Sequence, residues 1–212
     1  MTAQSVPLSG RRAQAAGNDR RIREAARAVF TADPDAPIAA VAAQAGVGIS
    51  ALYRRYRSKD ELLQRLCLDG LQRYIAEAEA ALAGDGDPWL AFARFMRRCL
   101  DAGTGSLTLR FAGRFTATDD LQRAGHAAHE VTQRLLDRAK AAGALRSDIA
   151  VGDISLIFEQ LQAVQVGDQH RSGQLRHRYL ALLLEALHAP PAAPLPGPPP
   201  AWDEISRRYN GQ

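Results

Sequence analysis

The sequence predicts an all-α chain of about nine helices, divided into a small three-helix head and a helical-bundle body. Three observations predict it. Apolar residues recur at spacings of three and four along most of the 212 residues, the mark of amphipathic helices. Alternating strand patterns bounded by hairpin turns do not occur. The breaks between periodic runs are Gly, Pro and Asp-Pro steps, which end and restart helices.

Taken in order, residues 1–17 read as a flexible basic arm, rich in small residues and carrying Arg11 and Arg12. Helical periodicity opens at Asn18, a plausible cap, with Ile22, Ala25, Ala26, Val29 and Phe30 on one face. Asp33 to Pro37 breaks it. A short Ala-rich helix follows over 38–45, with Ile38, Val41, Ala42 and Ala45 inward. Gly46 marks a turn, and a second short helix runs from Ile49 to Tyr56. Ser58 and Glu61 have the spacing of a capping box, which opens a long helix to about Ala83. Gly84-Asp85-Gly86 ends it, and Asp87-Pro88 restarts a helix with a cap and a proline at its first position. Further helices are expected over 106–115, from Thr118 or Asp119 to Ala142, over 150–166 and over 174–188. Residues 189–212 form a Pro-rich tail, extended through 189–200. Its last stretch has the pattern of a short amphipathic turn that docks through Trp202, Ile205 and Tyr209.

Charge is unevenly placed. The net charge is +4 overall, yet residues 1–60 hold ten Lys/Arg against five Asp/Glu. The positive field belongs to the head and points to a polyanionic partner there. The stretch 38–63, IAAVAAQAGVGISALYRRYRSKDELL, shows how it is presented. Two short helices meet across Ala45-Gly46-Val47, as a helix-turn-helix needs: small residues allow close approach, and glycine tolerates the positive φ of the turn. Leu52 and Tyr56, four apart, hold the second helix to the core. Its start then offers Gly48, Ile49, Ser50 and Ala51, and its end offers Tyr53, Arg54, Arg55 and Arg57.

This segment resembles the DNA-binding domain of TetR-family regulators, whose pattern is close to IA-x-x-AGVS-x-x-x-LY-x-x-F-x-sK-x-x-L. Ala45-Gly46-Val47, Leu52-Tyr53, Tyr56 and Ser58-Lys59 through Leu62-Leu63 match it. Two positions depart: Gly48 stands where the family often has serine, and Ala36-Pro37 where it often has a hydroxyl residue. The resemblance implies a helix-turn-helix DNA-binding domain over 18–63 and a ligand-binding and dimerisation domain over 64–188. It places Gly48, Ile49, Ser50 and Ala51 in the major groove, Tyr53, Arg54 and Arg55 at phosphates or base edges, and Lys59 at a phosphate. Arg54 is the best candidate for a guanine contact. The function implied is a transcriptional regulator, a repressor released from its operator by a small molecule. The alternative is a ligand-independent or partner-controlled DNA binder.

For the body the resemblance implies a homodimer through residues about 150–188 and a small-molecule effector, and an aromatic-lined apolar cavity would favour a hydrophobic or aromatic one. Trp89, Phe92, Phe95, Met96, Phe111, Phe115, His126 and Phe158 are the candidate pocket residues; ordinary core packing is the competing reading for each. An enzyme is not expected: no GxSxG, HExxH, Glu-x-x-His pair or Gly-rich phosphate loop is present. No cofactor or metal is implied, since Cys67 and Cys99 form no CxxC set, and His126 and His129 lack a supporting acid or thiol motif. The two cysteines read as buried free thiols. Without a long apolar run at the N-terminus or elsewhere, a cytoplasmic chain with no membrane partner is expected.

Overall fold

The computed structural model describes residues 8–103, 111, 114–189 and 193–210. Among these lie nine α-helices and no strand: α1 (Leu8–Ala32), α2 (Ile38–Ala45), α3 (Ile49–Arg55), α4 (Lys59–Ala83), α5 (Pro88–Ala102), α6 (Asp119–Ala141), α7 (Val151–Ala163), α8 (Gln169–Leu187) and α9 (Trp202–Asn210). One isolated antiparallel bridge joins Leu145 and His188. The chain divides into a head, residues 1–66, and a body, residues 67–212; α4 begins in the first and continues in the second.

In the head, α1, α2, α3 and the start of α4 close over one core. Ile22, Ala26 and Phe30 of α1 are buried with Val41 and Ala42 of α2, Leu52 of α3, Tyr56, and Leu62, Leu63 and Leu66 of α4. Gly46 has φ 63°. Its amide donates to Ala43 O (3.1 Å), and the Val47 amide donates to Ala42 O (3.0 Å). This paired closure needs a left-handed residue just past the helix, where glycine bears no Cβ penalty. The Ser58 hydroxyl accepts from the Glu61 amide (3.1 Å), while the Glu61 carboxylate reaches back to the Arg57 amide (2.7 Å), one residue beyond the expected reciprocal partner.

In the body, the core joins α4, α5, α6, α7 and α8 through Tyr74, Phe92, Phe95, Met96, Leu135, Leu136, Phe158 and Leu184. The Tyr74 ring meets Phe95 and Phe158 edge-on, with centroids 5.2 and 6.2 Å away. Its hydroxyl pairs with Thr132 Oγ1 (2.9 Å), and Thr132 donates to Ala128 O (2.7 Å), so both buried hydroxyls are satisfied. Caps fall where short-range chemistry places them. Asp87 accepts from the Leu90 amide (2.8 Å), Thr118 from the Leu121 amide (3.3 Å) and Asp168 from the Arg171 amide (2.7 Å). The carbonyls at the end of α4 are met from α6: the Arg138 guanidinium donates to Ala81 O, Leu82 O, Gly84 O and Gly86 O at 2.6–3.3 Å. Cys67 and Cys99 are free and buried.

Several expected boundaries shift. α1 begins at Leu8, so helix already occupies part of the stretch read as an arm and Asn18 lies inside it. The Ala-rich run 13–16 favours helix by propensity, which an apolar-periodicity reading does not register. α8 starts at Gln169 rather than 174. The Asp168 cap nucleates it, and the Ser172 hydroxyl ties to Val166 through its amide (3.0 Å) and carbonyl (3.1 Å), so Gly173 is carried within the helix. The helix expected over 106–115 lies mostly outside the described residues; within it Phe111 is buried, and Phe115 sits half-buried in a bend. In the tail, Trp202–Asn210 is a helix, and Ile205 is buried.

Candidate nucleic-acid interface

α3 is seven residues long and has two sides. Leu52 faces the head core with no exposure, and Tyr56 follows at 3%. Residues 49, 50, 53 and 54, related by steps of one and four, occupy the opposite face. Gly48, Ile49, Ser50, Tyr53, Arg54 and Arg55 are exposed, and Ala51 is half-buried. Gly48 caps the helix with its backbone in extended conformation; its carbonyl accepts from the amides of Ala51 (2.9 Å) and Leu52 (3.2 Å). As a glycine it adds no side-chain cap, which leaves the first turn of α3 open to another acceptor.

The cations expected from the sequence divide into two groups. Arg54 is exposed and, among the described residues, nothing pairs with it. Arg55 is committed: its Nε donates to Asp19 Oδ1 at 2.6 Å, and its guanidinium lies 5.6 Å from the centroid of the Tyr56 ring. Lys59 is committed too. Its Nζ donates to Ala36 O (2.8 Å) and Pro34 O (3.2 Å) and sits 5.0 Å from the Phe30 ring centroid. That ammonium ties the start of α4 to the α1–α2 connection and shares it with an aromatic face.

Asp19 is the residue the sequence reading missed. It is 8% exposed and gathers three donors: Arg55, the Tyr56 hydroxyl at 2.7 Å and Arg23 at 3.1 Å. Burial alone would raise its carboxyl pKa, but the bonds from Arg55 and Tyr56, with the charges of Arg23 and Arg55, hold it below the ordinary value. Burial, and then the bond to Asp19, push the Tyr56 phenol well above its usual range. The same carboxylate raises Arg55 further. The available signals were Tyr56 at a position where the resembled pattern has Phe, and the i,i+4 pair Asp19–Arg23. Neither reveals that residues 19 and 55 meet.

In the body, four of the candidate pocket residues, Phe92, Phe95, Met96 and Phe158, are buried together as packed core. Trp89 lies half-buried against that core, its ring 5.9 Å from Phe92 and 4.5 Å from the His188 ring. His126 is apart from the cluster: it is exposed, its Nδ1 within 2.9 Å of Gln122 O and its ring 5.2 Å from Trp202. An open groove of about 510 Å³ runs along α4 and α6 and involves none of these residues. It is lined by Ile75, Glu79, Ala127, His129, Glu130, Val131, Gln133 and Arg134. On α8, Tyr179 and Leu182 are 48% and 58% exposed, an apolar surface.

Comparison with known proteins bears on both units. The sequence model described as bacterial regulatory proteins, tetR family, matches residues 22–66. The model described as transcriptional regulator SbtR-like, C-terminal domain, matches residues 87–189. No curated protein matches. Among solved structures, the TetR transcription regulatory protein from Mycobacterium vanbaalenii is 26% identical with a TM-score of 0.57, covering 86% of this chain and 100% of its own. The TetR transcriptional regulator SCO0520 from Streptomyces coelicolor is 25% identical with a TM-score of 0.55, covering 83% and 99%. The TetR-like regulator LfrR from Mycobacterium smegmatis, solved in complex with proflavine, shares the fold at 22% identity and a TM-score of 0.56, covering 78% and 95%. Among the described residues, no helix is long and apolar enough to cross a membrane.

Proposed function

Since the chain belongs to the TetR family of DNA-binding transcriptional regulators, we propose that it is a repressor whose α3 enters the major groove of its operator and which a small molecule releases. The observation that carries the DNA half is the division of α3, with Leu52 and Tyr56 inward and Ser50, Tyr53 and Arg54 outward. Arg54 reaches a guanine edge or a phosphate, Tyr53 donates to a phosphate, Ser50 faces base edges in the major groove, Gly48 allows close approach, and Ile49 and Ala51 touch thymine methyls. Arg55 holds α3 and Lys59 holds the start of α4 in place instead of touching DNA, in keeping with their bonds to Asp19, Pro34 and Ala36.

One head reads few base edges, so two are needed. Dimerisation through α7 and α8 supplies the second and buries Tyr179 and Leu182. The effector is a small hydrophobic or aromatic compound, and the apolar floor of the body groove at Ile75, Ala127 and Val131 supports that class. It acts by binding one dimer conformation more tightly than the DNA-competent one.

A gel shift against DNA upstream of the chain's own coding sequence, at two salt concentrations, tests this reading. Tyr53→Ala with Arg54→Ala abolishes the shift while circular dichroism and dimer mass stay unchanged; retained binding refutes it. A thermal-shift screen of hydrophobic compounds tests the effector half, since a ligand that binds only the folded protein raises its melting temperature.

A further inference from the structure

We propose that Asp19 stands in for a DNA phosphate inside the head, withholding Arg55 from the duplex so that Arg54 is the cation α3 offers. This rests on reading α3 as the DNA-contacting helix. Arg54 and Arg55 are neighbours of the same type at the same end of one short helix, and only their surroundings distinguish them. Arg54 is exposed and, among the described residues, has no partner. Arg55 already has what a phosphate would supply, an anionic oxygen 2.6 Å from its Nε.

Three features make the internal acceptor the stronger one. Asp19 is buried and already stripped of water, so it meets Arg55 without a further desolvation cost, whereas a phosphate must shed its hydration and counterions first. Its second hydrogen-bonding partner on this side, the Tyr56 hydroxyl, donates to the same Oδ1 and fixes the carboxylate's direction. Releasing Arg55 would leave a buried carboxylate short of its closest donor, which is costly for a charged group. In the other direction, Arg23 already bonds Oδ2, so one carboxylate faces two guanidinium groups and cancels about one positive charge at the end of α3.

The consequence is selectivity. Phosphate contacts strengthen binding to every sequence alike, whereas a contact withheld lowers the non-specific background and leaves base readout untouched. Asp19 is therefore a positioning residue that tunes the head by removing a cation from the interface.

The dependence of DNA affinity on salt tests this, because each phosphate contact contributes about 0.9 to the slope of log K against log[salt]. The probe is a fluorescent mixed-sequence duplex titrated with the full-length chain. Asp19→Asn steepens the slope by about 0.9 per head, so one head gains an extra factor of about 3.5 in affinity loss between 50 and 200 mM salt. Asp19→Asn combined with Arg55→Ala returns to the wild-type slope. Arg55→Ala alone leaves it unchanged. Tyr56→Phe, which removes a bond to Asp19 and no charge, also leaves the slope unchanged while lowering the melting temperature; a purely structural role would move Asp19→Asn and Tyr56→Phe alike. A slope unchanged in a folded Asp19→Asn, or flattened by about 0.9 in Arg55→Ala, overturns the proposal. If Asp19→Asn does not fold, Arg55→Ala alone decides between the two. A wild-type chain with no salt-dependent binding to any duplex sinks the reading of α3 itself.

Discussion

Replacing Gly152 by alanine sets two effects of opposite sign against each other in the body. Gly152 is the second residue of α7, and glycine in a helix is worth up to about 1 kcal/mol less than alanine, less still in the first turn. Propensity alone therefore favours the change. Packing opposes it. A Cβ at this position would stand 2.3 Å from the carbonyl oxygen of Pro200, 2.9 Å from its Cβ and 3.1 Å from its carbonyl carbon. Two of these are backbone atoms, which cannot swing aside as a flexible side-chain end can, so the segment leading into α9 must move. Overpacking of this kind costs about 1–3 kcal/mol. Its ceiling is the cost of releasing the segment, the burial of Ile205 (4% exposed) together with the packing of Trp202 on His126 and His129, worth about 3 kcal/mol. Less a propensity gain of about 0.5 kcal/mol in the first turn, the net is a loss of about 1.5 kcal/mol. In a protein of this size that lowers the melting temperature by about 3–6 °C. The release is confined to the residues after 195, because Leu195 N remains bonded to Asp148 (2.9 Å) and Ala193 O to Arg146 (2.8 Å). Calorimetry gives the melting temperature, and hydrogen exchange reads the Ile205 amide, which donates to Ala201 O. A Gly152→Ala protein that melts at or above the wild type, with Ile205 protection intact, would refute the reasoning.

Two further expectations follow from side chains that join distant segments. Because the Asp19 carboxyl titrates below its ordinary value of 3.8, the folded head favours its ionised form. That contribution is complete above 3.8 and is lost as pH falls below it, so acid unfolding of the head shifts to higher pH in Tyr56→Phe and loses this component in Asp19→Asn. Arg138→Ala strips the end of α4 of a charged donor to four carbonyls and costs about 2 kcal/mol; hydrogen exchange then reports faster opening at residues 80–84, and unaltered exchange there contradicts the capping role.

Much of this architecture was legible because it is local. The turn at Gly46, the caps at Ser58 and Asp87 and the inward pair Leu52–Tyr56 each depend on residues within four or five positions of one another. The exposed face of α3 followed from that period alone. The missed features join positions far apart in sequence: Asp19 with Arg55, Lys59 with Pro34 and Ala36, and Arg138 with the end of α4. Helical periodicity carries no information about which surface arginine finds a carboxylate across the fold, so Arg55 read as a DNA contact alongside Arg54. The large apolar residues of α5 illustrate the same limit. Phe92, Phe95 and Met96 have the pattern of a pocket lining and of a packed core alike, and the fold brings them together as core. α8 was drawn too short because Gly173 was weighed as a break, although Asp168 and Ser172 secure the turn before it.

The most direct test of the account is a photo-cross-link from α3. A benzophenone side chain placed at Ser50, and in a second protein at Leu182 of α8, is irradiated with a bound operator duplex. The account predicts cross-links to DNA from position 50 and, in the body, protein–protein cross-links alone from position 182. DNA captured from position 182 and none from position 50 would show that the duplex lies elsewhere.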